Sequence, residues 1–283
     1  MELAVVSGKG GTGKTTIVAA LAQLAQQHVT LVDADVDAPN LYLMVKGDPI
    51  HHESFSGEQQ AVVNPANCLR CGRCNHVCHF DAIHFGNVDP WLCEGCGACT
   101  LVCPTNAIQL QPEETAEIEV IKNDERLLIR AQMKLGGEGS GKLIAQLRKV
   151  AKTHAPAETL TIIDGSPGIG CAVISSITGV NHVLIITEPT HSGLADLQRI
   201  TQLCEHFTIP ASVCINQYDL NEVVYEKVQA YCEAHSLPIL GEIPFDPAVR
   251  QAQRQLEPIT KHKDSPASQQ IQQMWNQLQA QLH

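Results

Sequence analysis

Seven short apolar runs recur along the chain: "LAVVS", "VTLVDA", "RLLIRA", "TLTIIDG", "HVLIITEP", "ASVCINQ" and "PILGEI". They are rich in β-branched residues and lack polar alternation, which predicts strands buried on both faces, as in a parallel sheet. Between them lie stretches of helical length and period: Lys14 to Gln27, Gly141 to Thr153, Gly193 to His206 and Glu222 to His235. Strand and helix in alternation predict an α/β, doubly wound, mostly parallel sheet. In the tail, "SPASQQIQQMWNQLQAQLH", Ile271, Met274, Trp275, Leu278 and Leu282 share one helical face. A membrane-surface helix would carry Lys or Arg on the opposite face; this one carries Gln, so the expectation is a helix packed against the sheet.

The alternation breaks from about Glu53 to Gln111, where Cys, Gly, Pro and Asn replace the periodic signals. Shifting this region by 25 residues superimposes it on itself: Cys68, Cys71, Cys74 and Cys78 fall on Cys93, Cys96, Cys99 and Cys103, and "DAI" at 81 falls on "NAI" at 106. A doubled half-motif predicts a small inserted module with pseudo-twofold symmetry. The expected division is 1–58 and 113–283 for the sheet domain, with 59–112 inserted.

After the first strand, Gly8, Gly13, Lys14 and Thr15 satisfy G-x-x-x-x-G-K-[ST] in "SGKGGTGKTT", with a strand before and a helix after. Glycines let successive backbone N–H groups curl round phosphate oxygens, and the helix N-terminus adds a positive dipole. The expected nucleotide-binding set is Gly8, Gly10, Gly11, Thr12, Gly13, Lys14, Thr15 and Thr16, with Lys14 on the β and γ phosphates of ATP and Thr15 on Mg²⁺. After the second strand, "DADVDAPN" puts Asp33, Asp35 and Asp37 on one side of an extended segment, at a strand end beside the phosphate loop, where such sheets bind ligands. "TIIDGSPGIG" runs four residues into Asp164, a candidate Mg²⁺ ligand through water.

"KGGTGKT" carries an extra lysine, Lys9, and here the sequence resembles the MinD/ParA/Mrp class of deviant Walker A ATPases. The resemblance implies an ATP-dependent homodimer in which Lys9 reaches the nucleotide of the facing subunit. It implies that Asp35 positions the attacking water, that Asp33 supports the Mg²⁺ shell, and that the Gly168 N–H senses the γ-phosphate. It also implies that Asn216, in "CINQ", reads the adenine edge, with Pro244, in "EIPFD", on the base-pocket wall. A second glycine-rich stretch, Gly136 to Leu143, also spells G-x-x-x-x-G-K, but Leu143 replaces the hydroxyl that should hold Mg²⁺. It reads as a loop capping the following helix, with Ser140 at the N-cap, or as a segment that moves with nucleotide or touches the inserted module.

The chain has twelve cysteines, eight of them between Cys68 and Cys103. Two runs of C-x-x-C-x-x-C-x-x-x-C resemble the bacterial two-cluster ferredoxins, in which the fourth cysteine of each run serves the other cluster. That resemblance implies one [4Fe-4S] cluster on Cys68, Cys71, Cys74 and Cys103 and a second on Cys93, Cys96, Cys99 and Cys78. Zinc, the rival for C-x-x-C pairs, has no use for the interleaved third cysteine. His79 stands where the first run would have the proline that Pro104 supplies in the second, a local departure that leaves the ligands intact. His76 and His79 are candidates for tuning a potential or carrying a proton. Cys171, Cys204, Cys214 and Cys232 fall in apolar contexts and are expected to pack in the core.

A formal charge of −11 with no Lys/Arg block disfavours nucleic acid as a partner, although a local basic patch is compatible with it. The absence of a signal-like start or a membrane-length apolar run in the sequence predicts a cytoplasmic protein without stable membrane insertion. A deviant Walker A with two cluster motifs inserted between "DADVDAPN", where the class has its switch I, and "TIIDGSPGIG", its Walker B element, resembles the MinD-superfamily P-loop ATPases that contain an inserted ferredoxin domain. A related architecture, the nitrogenase iron protein, gates electron transfer by ATP-driven dimer rearrangement. The expectation is therefore an ATP-hydrolysing iron–sulfur protein that passes low-potential electrons to a redox partner. The alternatives are a maturation or scaffold ATPase serving maturation partner proteins and, behind it, a MinD/ParA-like positioning switch.

Overall fold

The computed structural model describes residues 1–25, 28–123, 126–137, 140–157 and 159–282. In chain order its elements are β1 (Glu2–Ser7), α1 (Lys14–Leu24), β2 (Val29–Asp33), β3 (Asp48–Phe55), β4 (Glu58–Val63), α2 (Arg73–Val77), β5 (Ile83–His84), β6 (Asn87–Val88), α3 (Ala98–Val102), β7 (Ile108–Glu113), β8 (Ala116–Asn123), β9 (Arg126–Met133), α4 (Gly141–His154), β10 (Leu160–Pro167), α5 (Cys171–Ile177), β11 (His182–Thr187), α6 (His191–His206), β12 (Ala211–Asn216), α7 (Glu222–Ala234), β13 (Ile239–Ile243), α8 (Pro247–Arg254) and α9 (Pro266–Leu282). The chain forms two compact units, Met1–His52 with Ile118–Gln132 and Gly139–His283, and Glu53–Glu117 with Met133–Glu138; it passes between them within β3, β8 and β9.

The larger unit is built on a nine-stranded sheet in the order β13-β12-β11-β1-β10-β2-β9-β8-β3. All seven apolar runs are strands of it, and every pair among β13, β12, β11, β1, β10, β2 and β9 is parallel. Leu3 and Val5 pack in one core with α1 and α9, while Ala4 and Val6 are equally buried on the other face, which α5 and α6 approach. Burial on both faces is why these strands read as continuous apolar runs. β3 and β8 did not declare themselves in sequence: "DPIHHESF", the strand at the sheet edge, and "AEIEVIKN", its partly buried inner neighbour, both mix charge with apolar residues.

In the tail helix α9, Ile271, Met274, Trp275 and Leu278 are buried and Leu282 packs against the same core. Ser140 caps α4, its hydroxyl accepting from the Leu143 N–H at 3.3 Å. Within the second glycine-rich stretch, Glu138 and Gly139 lie outside the described residues, as do Gln26 and Gln27 of the stretch expected to form the first helix.

The smaller unit contains two small antiparallel sheets, β4 with β7 and β5 with β6, and the short helices α2 and α3 packed together. Its internal repeat is visible in the backbone. Positive φ values recur 25 residues apart at Arg70 and Gly95 (52° and 59°), Gly72 and Gly97 (75° and 76°), and Asp81 and Asn106 (54° and 50°). The left-handed turns at Asp81 and Asn106 match even though His79 replaces a proline in the first copy.

Candidate functional site

The phosphate loop follows β1 and opens α1. Gly11 and Gly13 take φ of 82° and 86°, the left-handed conformation that favours glycine. A Cβ on Gly8 would lie 1.9 Å from Asp196 Cβ on α6, and one on Gly13 would lie 2.5 Å from Asn216 Nδ2, so neighbouring elements exclude a side chain at both. Lys14 is buried, its Nζ 3.4 Å from Asp164 Oδ1 and 3.9 Å from Asp35 Oδ2. Asp33 is fully buried at the end of β2, and its Oδ2 accepts from the Asn40 and Leu41 N–H groups at 3.2 and 3.1 Å.

Asp33 Oδ1 and Asp164 Oδ2 are buried without a hydrogen-bond partner. Burial, then the neighbouring Asp164 carboxylate, pushes the Asp33 pKa up to about 8. Burial also raises Asp164 and, less completely enclosed, Asp35, while Lys14 acts against the rise in both. The Thr15 hydroxyl hydrogen-bonds Asp164 and favours its ionised form. Buried carboxylates with unused oxygens beside a lysine and a helix-opening hydroxyl suit a hydrated divalent cation, whose charge would compensate what burial penalises. Asp37 is exposed, and its charge adds to the rise at Asp35.

Asn216, at the end of β12, donates from Nδ2 to the Thr12 carbonyl at 2.8 Å. It lines, with Gly11, Gly13, Thr16, Pro244 and Phe245, an open cleft. The structure thus gathers the phosphate loop and three residues distant in sequence, Asn216, Pro244 and Phe245, around one space, at the C-terminal ends of the parallel strands. The Thr16 hydroxyl accepts from Gln253 at 3.0 Å. Gly10 is open to solvent, and the Gly168 N–H donates to the Ser7 carbonyl at 2.9 Å.

Lys9 is paired within its own chain, its Nζ 3.0 Å from Glu188 Oε2 and 3.4 Å from Thr190 Oγ1. Sequence reading missed Glu188 and Gln253, because nothing in their spacing distinguishes them; only the approach of β11 and α8 to the loop does.

In the smaller unit the eight clustered cysteines sort into two cavities. One is lined by Cys68, Cys71, Cys74 and Cys103. The other is lined by Cys78, Cys93, Cys96 and Cys99. Cys103 Sγ accepts from the Ala107 N–H and Cys78 Sγ from the Ala82 N–H, both at 3.2 Å, and Cys93 Sγ accepts from the Ala61 N–H at 3.5 Å. Among the described residues, no group of three or more His, Cys, Asp or Glu side chains is arranged to hold a metal ion as it stands. His76 and His79 are exposed.

Of the scattered cysteines, Cys204, Cys214 and Cys232 are buried as expected, and burial raises their thiols, Cys204 to about 12 and Cys232 to about 11. Cys171 is a correction: it opens α5 just after the Gly168–Gly170 turn and is exposed.

A glycine loop feeding a helix N-terminus, with buried carboxylates at neighbouring strand ends, defines a P-loop nucleotide-binding protein. Residues 3–259 match the model of the CobQ/CobB/MinD/ParA nucleotide binding domain, and the chain belongs to that family. It is 38% identical to an uncharacterized protein of Methanocaldococcus jannaschii, the match covering 86% of each chain. It is 24% identical to an iron-sulfur cluster carrier protein of Pyrococcus abyssi, over 94% of this chain and 81% of that one. In fold it resembles the septum site-determining protein MinD complexed with Mg-ADP from Pyrococcus horikoshii, with a TM-score of 0.62 at 19% identity over 98% of this chain and 95% of that one. Among the described residues no helix is long and apolar enough to cross a membrane.

Proposed function

We propose that this chain is an ATP-hydrolysing iron–sulfur protein in which nucleotide-dependent pairing of two copies controls low-potential electron transfer to a partner protein. The observation that carries the reading is the sorting of eight cysteines into two cavities, each taking three thiols from one repeat and the fourth from the other. A cavity with four thiols and backbone N–H groups aimed at sulfur suits a [4Fe-4S] cluster, for which cysteine thiolates are the usual ligands. Cys68, Cys71, Cys74 and Cys103 would hold one, and Cys78, Cys93, Cys96 and Cys99 the other. When bound, such clusters supply one-electron chemistry at potentials set by local charge, hydrogen bonds and exposure.

At the nucleotide site, Gly8 to Thr16 would wrap the phosphates, Lys14, now against Asp164 and Asp35, would reach them, and Thr15, Asp33 and Asp164 would hold Mg²⁺. Asp35 is left to orient the attacking water. In this protomer Lys9 is parked on Glu188; pairing of two copies frees it for the nucleotide across the interface.

A second reading, delivery of clusters to other proteins, is favoured by the likeness to the archaeal cluster carrier. Against it stands the burial of Cys204, Cys214 and Cys232 in the larger unit, with thiols held protonated. A transferable cluster needs accessible thiolates.

The test is anaerobic reconstitution of the full chain, followed by iron and sulfide counts and an EPR-monitored redox titration with and without a non-hydrolysable ATP analogue. The expected result is two clusters, with a nucleotide-linked shift of about 59 mV or more, a tenfold change in the one-electron equilibrium. Failure to retain iron would remove the reading. Intact clusters that leave the chain for an apo-acceptor on hydrolysis would establish the carrier reading in its place.

A further inference from the structure

Residues 53–117 contain two Lys or Arg side chains against eight Asp and Glu. Both cations, Arg70 and Arg73, are exposed and line the same cavity, that of Cys68, Cys71, Cys74 and Cys103. At the equivalent positions 25 residues on, the second repeat has Gly95 and Ala98, and Leu69 is answered by Glu94; all three line the other cavity. Glu94 also lines an adjoining cleft with Glu58, Glu113, Glu114 and Lys134, which pairs with Glu114 at 2.6 Å, so four carboxylates face one cation there. One scaffold, used twice, therefore carries opposite local charge at its two cysteine quartets.

Two physical consequences point the same way. Positive charge beside a redox centre stabilises its more negative, reduced state, so an electron shared within the module settles at the Arg70 and Arg73 end. In a chain of net charge −11, that end is also where an acidic protein meets attraction, whereas the Glu94 end repels it. Leu69, 68% exposed, and Phe85, 57% exposed, flank the arginines and supply apolar contact beside exposed Cys71.

We propose that the rim of Leu69, Arg70, Cys71, Arg73 and Phe85 is the docking surface for a small acidic electron-carrier protein. One electron leaves the chain at the Cys68, Cys71, Cys74 and Cys103 quartet, oxidising it, and reduces the carrier by one. The proposal rests on the reading that the quartets hold iron–sulfur clusters, and the iron count taken before each experiment separates the two: a chain without iron overturns that reading and this proposal with it, whereas an iron-loaded chain that fails the tests below overturns the proposal alone.

The reconstituted full chain is reduced and mixed in stopped flow with anionic Co(III)–EDTA or cationic Co(III) hexammine, each of which takes one electron to become Co(II). Binding to a plant-type [2Fe-2S] ferredoxin, an acidic probe, is measured alongside. The R70E/R73E protein is expected to bind the ferredoxin at least about tenfold more weakly, and its ratio of anionic to cationic oxidation rates to fall by about the same factor. The milder R70Q/R73Q protein should change both in the same direction, which guards against misfolding of the charge reversal. E94Q should leave both readouts unchanged.

Rates that fall equally for both cobalt probes would mean the arginines tune potential without forming a docking face, and would overturn the proposal. So would a ratio that responds to E94Q and not to R70E/R73E, which would move the port to the other quartet. Arginine-dependent binding to anionic lipid vesicles, with none to the ferredoxin, would assign the patch to a membrane surface.

Discussion

Asp33→Asn should stabilise the nucleotide-free chain while disabling it. Asp33 is fully buried beside Asp164, and its pKa is pushed from 3.8 to about 8. Between those two values the native chain keeps a proton that the unfolded chain has released, so native stability falls as pH rises from about 4 to about 8 and then levels off. At about 1.4 kcal/mol per pKa unit, the ceiling on this penalty at pH 7 is about 4 kcal/mol. Asparagine carries no charge and keeps an oxygen for the Asn40 and Leu41 amides, which now meet Asp33 Oδ2. Relaxation around Lys14 and Asp164 absorbs part of the gain, leaving about 1–3 kcal/mol, a rise of several degrees in melting temperature. The assay is thermal melting from pH 5 to pH 9, with and without Mg²⁺ and nucleotide. Without ligand, Asp33→Asn should melt higher, most clearly at pH 8, with a flatter pH profile; with ligand the order should reverse, because the wild type alone gains the cation's stabilisation. A lower melting temperature for the ligand-free variant at pH 8, or parallel pH profiles, would refute the reasoning.

Other expectations follow from single contacts. Lys9→Ala removes a partly exposed ion pair with Glu188, so stability should move by less than about 1 kcal/mol, while ATP-dependent dimerisation in light scattering is lost; normal hydrolysis by a monomeric variant would sink the trans role. Gly8→Ala forces a Cβ onto Asp196 and should abolish binding of a fluorescent nucleotide while leaving the iron count unchanged. Cys96→Ser should halve the iron content and leave the EPR signal of the other quartet, since its side chain lines one cavity alone. Trp275→Ala empties a buried site under the sheet and should cost about 3–5 kcal/mol in denaturant unfolding.

Much of this architecture was legible because it is local. The phosphate loop needs glycines and a lysine at fixed spacing along a few residues, the central strands need unbroken apolar runs, and the α9 face needs one helical period. The edge strand β3 and its neighbour β8 were not legible, since a half-exposed strand of mixed composition carries no unbroken run. Cys171 shows the same limit from the other side: an apolar neighbourhood in sequence says nothing about whether a turn leaves its first helical residue uncovered.

The sequence by itself determined that a nucleotide loop and a doubled cysteine motif occupy one chain, because both are patterns of near neighbours enforced by covalent spacing. The tertiary structure decided which thiols share a cavity, that Asp33 and Asp164 are buried together with unused oxygens, and that Lys9 rests on Glu188. Those are matters of burial and of charges brought together across tens or hundreds of residues, and packing, which no local spacing encodes, sets them.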